Sequence, residues 1–483
     1  MDKQDEYPLV GRADEQDILG RRLRSRQPEL IALYGRRRVG KTFLVRRFFR
    51  DHLRFEMVGN SKATLREQLA NFAAALTEAS GLRAAPPRSW QEAFADLIRW
   101  LEQKKGGGRL VIFFDEFPWL ASPRSRFVPA FEQFWNAWAS TRADIVVVIA
   151  GSAAAWMIRN VVGDRGGLHG RVTQSLQVPP FKLHETRAFL KSRGVSWKNH
   201  QILELHMALG GIPFYLELVR GETSAAQNLD RLCFAANAPL AGEFRRLCAS
   251  LFDNHQDHLK IIAALAGRRE GMTRDELLQA TGLSSGGGNS AILEELDASG
   301  FLDIAPPFGR TSRDAIYRLI DEFSLFHHTW MQRRARSGSR DHWMQIRNTP
   351  RWRTWSGHAF EMACLKHGDS LRQALGISGV RTESSTWRSR GGKGSEPGAQ
   401  IDLLIDRADG VINLCEMKHV EEEFVIDRKY AEVLRRKREV FQRATGTKKT
   451  LFLTMVTTFG VKANEWRNEL IQSTVEMDAL FEK

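Results

Sequence analysis

"LIALYGRRRVGKTFLVRRFF" occupies residues 30–49. An apolar run stops at Gly35. Three arginines and Val39 follow, then Gly40-Lys41-Thr42 open a segment in which Phe43, Leu44, Phe48 and Leu53 fall near helical spacing. Gly35, Gly40, Lys41 and Thr42 satisfy the spacing G-x-x-x-x-G-K-[ST]. Glycines at those places let successive backbone N–H groups turn inward on a phosphate. The lysine reaches the terminal phosphates, the threonine hydroxyl suits Mg²⁺, and the following helix adds its positive end. The apolar run "ELIALYG" reads as a buried parallel strand, so strand, loop and helix stand in the required order. Residues Gly35, Arg36, Arg37, Arg38, Val39, Gly40, Lys41, Thr42 and Phe43 are expected to enclose the phosphates of ATP, with Lys41 acting in catalysis.

Such a loop needs an acid for the metal and for water. "RLVIFFDEFPWL" supplies a strongly apolar strand with Asp115-Glu116 at its C-terminal end, where open parallel sheets collect their ligands. Asp115 is expected in the Mg²⁺ shell and Glu116 at the attacking water. The strand "DIVVVIAG" ends at Ser152, whose hydroxyl either senses the γ-phosphate or caps a turn.

The whole chain has 483 residues and a formal net charge of +14. That length predicts two to four domains. The charge favours a polyanionic partner, nucleic acid or an anionic membrane surface. No apolar run reaches the roughly 18 residues of a membrane span, and the first ten residues form no signal-peptide core. Cys233, Cys248, Cys364 and Cys415 lie far apart without metal-type spacing, which suits reduced cysteines in a cytoplasmic protein.

Residues ~8–330 resemble the prokaryotic ATPase family of the AAA+/STAND branch of P-loop NTPases. The resemblance rests on "LVGRADEQDIL", "YGRRRVGKT", "FFDEF", "GLHGRVTQSLQVPPF" and "LGGIPFYL". It implies that Arg12 lies near the nucleotide base, that Arg171 is the family's arginine, and that Pro213 of a small helical lid approaches the base or ribose. Arg165 and Arg171 are both candidates for an arginine that reaches a neighbouring subunit, with a plain surface charge as the alternative for either, and a homo-oligomer is accordingly an expectation. The predicted order is a P-loop ATPase core over 1–178, a helical lid over 179–252 and a winged helix over 253–330. In the last, Thr273 and Glu276 have capping-box spacing. Its third helix carries Glu294, Glu295 and Asp297 and no basic residue, a poor surface for a DNA groove; Arg310 and Arg313 in the following turn suit backbone phosphate better.

Residues 331–356 form an expected basic linker. Arg333, Arg334, Arg336, Arg340, Arg347, Arg351 and Arg353 suit phosphates, whereas Trp343, Trp352 and Trp355 are too costly to leave in water and are expected to pack. Beyond it, "QIDLLID", "ADG" and "VINLCEMK" read as strand, turn and strand. Asp402 and Glu416 would then lie together, with Lys418 on the same strand face as Glu416. Glu361 on the preceding "SGHAFEMACLKHG" helix is a further carboxylate. The bare pattern Asp…Glu-x-Lys arises by chance roughly once or twice in a chain this long. In its hairpin setting, after an ATPase, residues 357–483 resemble the PD-(D/E)xK nuclease superfamily, although Gln400-Ile401 stand where that motif begins with proline. The resemblance implies that Glu361, Asp402, Glu416 and Lys418 cut DNA, with Asp402 and Glu416 on Mg²⁺. The basic helix "DRKYAEVLRRKREVFQRA" offers Lys429, Arg435, Arg436 and Lys437 to a phosphate strand. The complete expectation is an α/β chain: a P-loop parallel sheet with helical lid, a winged helix, then an α/β restriction-endonuclease-like domain. The alternative is a nucleotide-dependent switch that binds a protein partner and carries an inert tail.

Overall fold

A computed structural model describes residues 7–104, 108–122, 124–163, 168–252, 255–284, 287–311, 314–332, 342–389 and 398–483. Arg165, Arg313, Arg333, Arg334, Arg336 and Arg340 lie outside the described residues. The chain divides into two compact units, one built on residues 1–180 with 251–253 and 294–300, the other on the remainder.

The first unit is a five-stranded sheet of β1 (Glu29–Tyr34), β2 (Leu53–Val58), β3 (Leu110–Asp115), β4 (Ile145–Gly151) and β5 (Gln174–Gln177), in the order β2-β3-β4-β1-β5. Every pairing is parallel. The apolar runs dictate this. β3 and β4 are buried at every residue, as strands covered on both faces must be. One face of the sheet packs on an aromatic cluster in which Phe94, Phe114, Phe117, Phe127 and Phe131 meet at centroid separations of 4.9–6.4 Å. The helix after the glycine loop, Lys41–Phe48, is shorter than its apolar spacing predicts. Leu53 does not belong to it; that residue begins β2, because Phe49 caps the helix and the chain turns at Asp51-His52.

The second unit begins with short helices at Leu183–Ser192, Asn199–Leu209, Pro213–Leu216, Ala225–Leu229 and Glu243–Leu251. A small sheet follows, ordered β6-β8-β7, from β6 (Met272–Thr273), β7 (Leu302–Ala305) and β8 (Ile316–Leu319). The Thr273–Glu276 capping box forms as its spacing predicts. The expected linker is ordered where it is described. Thr349 caps a helix, Pro350–Lys366, which runs straight across the predicted boundary at 356. Trp343, Trp352 and Trp355 are all buried, and Trp343 meets Trp355 edge-on at 5.5 Å. Burying each indole stabilises this segment by about 2–3 kcal/mol, which is why an arginine-rich stretch is a packed element.

A second five-stranded sheet closes the chain, with β9 (Thr382–Ser389), β10 (Ala399–Arg407), β11 (Val411–Lys418), β12 (Thr450–Thr457) and β13 (Ile471–Glu476) in the order β13-β12-β11-β10-β9. β9, β10 and β11 are antiparallel; β11, β12 and β13 are parallel. The two-way topology follows from the connections. The turn between β10 and β11 is tight, with Gly410 at φ 86°, whereas helices Arg428–Thr445 and Glu465–Leu470 make the crossovers that parallel pairing requires. Helix Arg428–Thr445 buries Ala431, Leu434 and Phe441 against the sheet.

Candidate active sites

In the first unit the site is built from the C-terminal ends of β1, β4 and β3, which lie side by side in that order. The glycine loop leaves β1 at Gly35, where φ is 143° and an added Cβ would stand 2.4 Å from the Val178 carbonyl oxygen. No other residue fits there without moving the backbone. Arg38 and Gly40 also take positive φ, at 74° and 90°, which curls the loop over the start of the helix. Lys41 is buried and folds its ammonium onto the loop, donating to the carbonyls of Gly35 at 2.8 Å and Arg36 at 3.1 Å. Burial lowers its pKa, and the nearby charges of Glu116 and Asp115 oppose that shift. Arg36 and Val39 are buried with it. Arg37 lies over the Trp119 ring at 5.7 Å and Arg47 over that of Phe43 at the same separation.

The acid pair sits where the loop can use it. Thr42 donates its hydroxyl to Asp115 Oδ2 at 2.5 Å, and the Glu116 N–H donates to Asp115 Oδ1 at 2.9 Å. Glu116 Oε2 accepts from both the backbone N–H and the hydroxyl of Ser152, at 3.1 and 2.7 Å. Glu116 has left-handed backbone, φ 46° and ψ 46°. That conformation is costly for a residue with a Cβ and is characteristic of functional turns. Gly59 allows it: a Cβ at that position would come within 2.6 Å of the Glu116 carbonyl oxygen. Hydroxyl and carboxylate oxygens in contact are the donors that a hard divalent cation takes, so Thr42 and Asp115 suit such an ion.

Arg12 is a buried structural neighbour of the loop, donating to the Val39 carbonyl at 2.9 Å and to Glu15 at 3.2 Å. Arg171 donates to Asn136 Oδ1 at 2.8 Å in the same unit. Pro213 opens the short helix Pro213–Leu216 in the second unit.

The second site lies where β10 and β11 part. The register that pairs Leu403 with Cys415 sets Asp402 beside Glu416, and a bulge of β10 against β9 falls between Ile401 and Leu404. Bulges re-aim side chains at such places. Asp402 accepts from the Met417 N–H at 3.0 Å. Glu416 is buried and receives Lys437 Nζ at 2.5 Å, the Tyr430 hydroxyl at 3.3 Å and Lys418 Nζ at 3.8 Å. Burial raises its pKa and the charge of Asp402 raises it further, against Lys437 and Lys418. Lys437 therefore does not stand free for a phosphate strand; its ammonium neutralises Glu416. Burial also raises the Tyr430 phenol, with Glu416 the next cause. Glu361, on the helix Pro350–Lys366, is buried and ion-paired with Arg269, whose Nε lies 3.1 Å from Oε2. Glu361, Asp402 and Arg269 share a cleft of about 460 Å³ within the second unit. Among the described residues, no three His, Cys, Asp or Glu side chains are grouped to hold a metal ion. The oxygen donors are of the right chemistry, and side-chain cations now balance Glu361 and Glu416.

Sequence reasoning missed Arg269 and Tyr430. Neither carries a local signal; each becomes visible only when 92 and 14 residues of separation, respectively, are folded away.

A protein family described as an ATPase domain predominantly from Archaea matches residues 9–219. An uncharacterised protein of Methanocaldococcus jannaschii is 25% identical over 214 residues, which is 44% of this chain and 44% of that protein. The chain thus matches less than half the length of that relative. Among solved structures, a Walker-type ATPase of Pyrococcus abyssi aligns with 66% of this chain and 96% of its own, at 18% identity and a TM-score of 0.46. The ORC2 protein of Aeropyrum pernix, solved as ADPNP–ADP complexes, aligns with 66% and 93%, at 15% identity and a TM-score of 0.41. The region that the ATPase-domain family matches holds the glycine loop and the acid pair described above. No described helix is long and apolar enough to cross a membrane.

Proposed function

We propose that this chain is an ATP-hydrolysing enzyme of the AAA+/STAND type whose C-terminal region is a divalent-metal-dependent nuclease acting on DNA. The observation that carries the ATPase half is the Thr42–Asp115 hydrogen bond with Glu116 held beside it by Ser152. Lys41 and the loop N–H groups bind the β- and γ-phosphates. Thr42 and Asp115 hold the Mg²⁺, which supplies charge neutralisation on the phosphates when bound. Glu116 orients the attacking water and takes its proton. Arg12, which braces the loop at Val39, keeps the phosphate cradle in shape rather than reading the base.

The nuclease half rests on Asp402 and Glu416 side by side at a bulge, with Lys418 adjacent and Glu361 in the same cleft as Asp402. In this reading Asp402 and Glu416 would hold a divalent cation, which would supply polarisation of a phosphodiester when bound, Glu361 would stand as a further carboxylate in the cleft, and Lys418 would stabilise the developing charge. Residues 255–319, with their three helices and three short strands, serve as a winged-helix module that presents this region to DNA. Net charge +14 supports a polyanionic partner.

A second reading has one observation in its favour: Glu416 and Glu361 are each already neutralised by a cation of the same unit. In that reading the chain is a nucleotide-dependent switch with an inert tail. One experiment separates the two. ATP turnover is measured with and without duplex DNA, and plasmid cleavage with Mg²⁺ or Mn²⁺, for the intact chain, Lys41→Ala and Asp402→Ala. The nuclease reading expects cleavage that Asp402→Ala abolishes. Turnover that Lys41→Ala abolishes, with no cleavage under any nucleotide, selects the switch. Turnover unaffected by Lys41→Ala refutes the ATPase assignment of the loop.

A further inference from the structure

The cleft beside Asp402 has an unusual lining. Arg268, Arg269, Arg310, Arg318 and Arg388 all reach it, from the turn before β6, the segments around β8, and β9. Arg388 is paired with Glu270 at 3.4 Å and Arg318 donates to the Thr386 hydroxyl. Arg268 and Arg310 have no side-chain partner among the described residues. The other acids of the lining are occupied: Glu276 caps the helix Arg274–Thr281, and Asp314 accepts from the Thr311 N–H and hydroxyl at 3.4 and 3.2 Å. What remains is a pocket with two unpaired arginines, a third that is borrowed by Glu361, and the carboxylates of Glu361 and Asp402.

The borrowed arginine is the informative one. The Arg269 side chain is 43% exposed, whereas that of Glu361 is 7% exposed. Arg269 can therefore swing toward solvent or toward a ligand in the cleft; Glu361 cannot leave. A phosphate in the cleft offers Arg269 a bidentate partner equivalent to the carboxylate it gives up. Glu361 would then be a buried carboxylate without a counter-charge, which is unfavourable unless a cation replaces the guanidinium. The two ligands are thus linked: phosphate releases Glu361, and a divalent cation at Glu361 and Asp402 compensates for that release.

We propose that Arg269 is a positioning residue that latches Glu361 and that a nucleic-acid phosphate in the arginine-lined cleft opens the latch, so that phosphodiester and divalent cation bind cooperatively. The proposal deepens the nuclease reading and rests on it. It also gives the saturated carboxylates a purpose, since a site closed by its own arginine stays closed until the polyanion arrives.

The test is Mn²⁺ binding to the full-length chain without nucleotide, followed by electron paramagnetic resonance. It is run with and without a short DNA duplex made cleavage-resistant by phosphorothioate linkages. The Asp402→Ala chain is subtracted to isolate this site. In the unaltered chain the duplex should tighten Mn²⁺ binding by about 10-fold, and Mn²⁺ should tighten duplex binding by the same factor. Arg269→Gln should bind Mn²⁺ about 10-fold more tightly without DNA, and the coupling should fall to near unity. Unchanged Mn²⁺ affinity and undiminished coupling in Arg269→Gln overturn the latch while leaving the nuclease reading intact. Coupling that appears as expected, with no cleavage of an ordinary duplex, keeps the latch and removes the nuclease activity. No Asp402-dependent Mn²⁺ binding removes both. Should Arg269→Gln fail to fold, Glu361→Gln serves instead: it must abolish the DNA-induced tightening, and retained tightening overturns the proposal.

Discussion

At the glycine-loop site, Asp115 and Glu116 accept hydrogen bonds from neutral groups: the Thr42 hydroxyl, the Ser152 hydroxyl and two backbone N–H groups. Its lysine turns to backbone carbonyls instead of to those acids. In the second unit, Glu416 and Glu361 are held by the cations of Lys437 and Arg269. Both sites gather carboxylates at strand ends, yet they differ in who balances the charge. Neutral donors orient a carboxylate and leave its charge available to an incoming metal. A side-chain cation spends that charge on the fold. The first arrangement is ready for a cation. The second has to exchange one for another.

The sharpest break is at Glu116. Glu116→Gln preserves the shape and the Ser152 contacts but cannot take a proton. Turnover should fall by about 10²–10⁴-fold, while affinity for a fluorescent ATP analogue stays within a factor of about three. Turnover that survives this change would show that the carboxylate's charge is not used, and the contrast between the two sites would collapse.

Next in size is Lys437→Met. It leaves buried Glu416 without its closest cation, and losing one partner of a buried pair costs about 3–5 kcal/mol. The urea midpoint of the second unit should drop accordingly. Adding Glu416→Gln to the same chain should recover part of the loss, because the stranded charge is then gone. If Lys437→Met costs under about 0.5 kcal/mol, the ammonium is not carrying the charge, and this site resembles the first.

Five histidines sharpen the comparison through pH. Burial lowers the pKa of His206 to about 3, and those of His327, His358, His367 and His419 to about 4. All five lie in the second unit and none in the first. His367 shows why its neutral form is required: Nδ1–H faces the Ala363 carbonyl at 2.7 Å, and Nε2 accepts from the Leu183 N–H at 2.9 Å. A group with a folded pKa below its unfolded value of about 6.5 binds more protons when unfolded. Its contribution is complete above that unfolded pKa and is lost as pH falls toward the folded one. Calorimetry at pH 7.5 and 5.5 should move the second unit's transition down by several degrees. The transition that ATP stabilises should move less, and equal shifts would contradict the assignment.

What sequence could reveal here was local. Gly35 through Thr42 declare themselves by spacing, Asp115-Glu116 by following an unbroken apolar strand, and Thr273 by the glutamate three residues on. β10 and β11 were legible as two strands on either side of the turn at residues 408–410. The failures are of two kinds. Leu53 continues a helical spacing by coincidence, and only the turn at Asp51-His52 breaks it. The tryptophans of the segment 342–356 pack as their cost in water predicts, but the boundary placed at 356 falls inside the helix Pro350–Lys366, because the arginines gave the segment a linker's composition. The remaining misses are pairs: Arg269 with Glu361, and Lys437 with Glu416. A charged residue in sequence carries no information about which distant opposite charge it will reach, so a lysine expected on phosphate was found on glutamate.

The smallest expected effect is the most specific to the comparison. Ser152→Ala removes one neutral hydroxyl from Glu116 Oε2 and leaves the backbone N–H of residue 152 in place. A single neutral hydrogen bond contributes about 1 kcal/mol. Turnover should therefore fall only about 3–10-fold, with KM for ATP unchanged, since the hydroxyl aims Glu116 and binds no phosphate in this account. Two other outcomes are informative. A loss as large as that of Glu116→Gln would place Ser152 on the γ-phosphate or the water itself. A rise in KM without a change in kcat would mean that the hydroxyl serves binding. Restoration by Ser152→Thr, which returns the oxygen at the same backbone position, should accompany the small effect, because orientation needs the donor and not the serine.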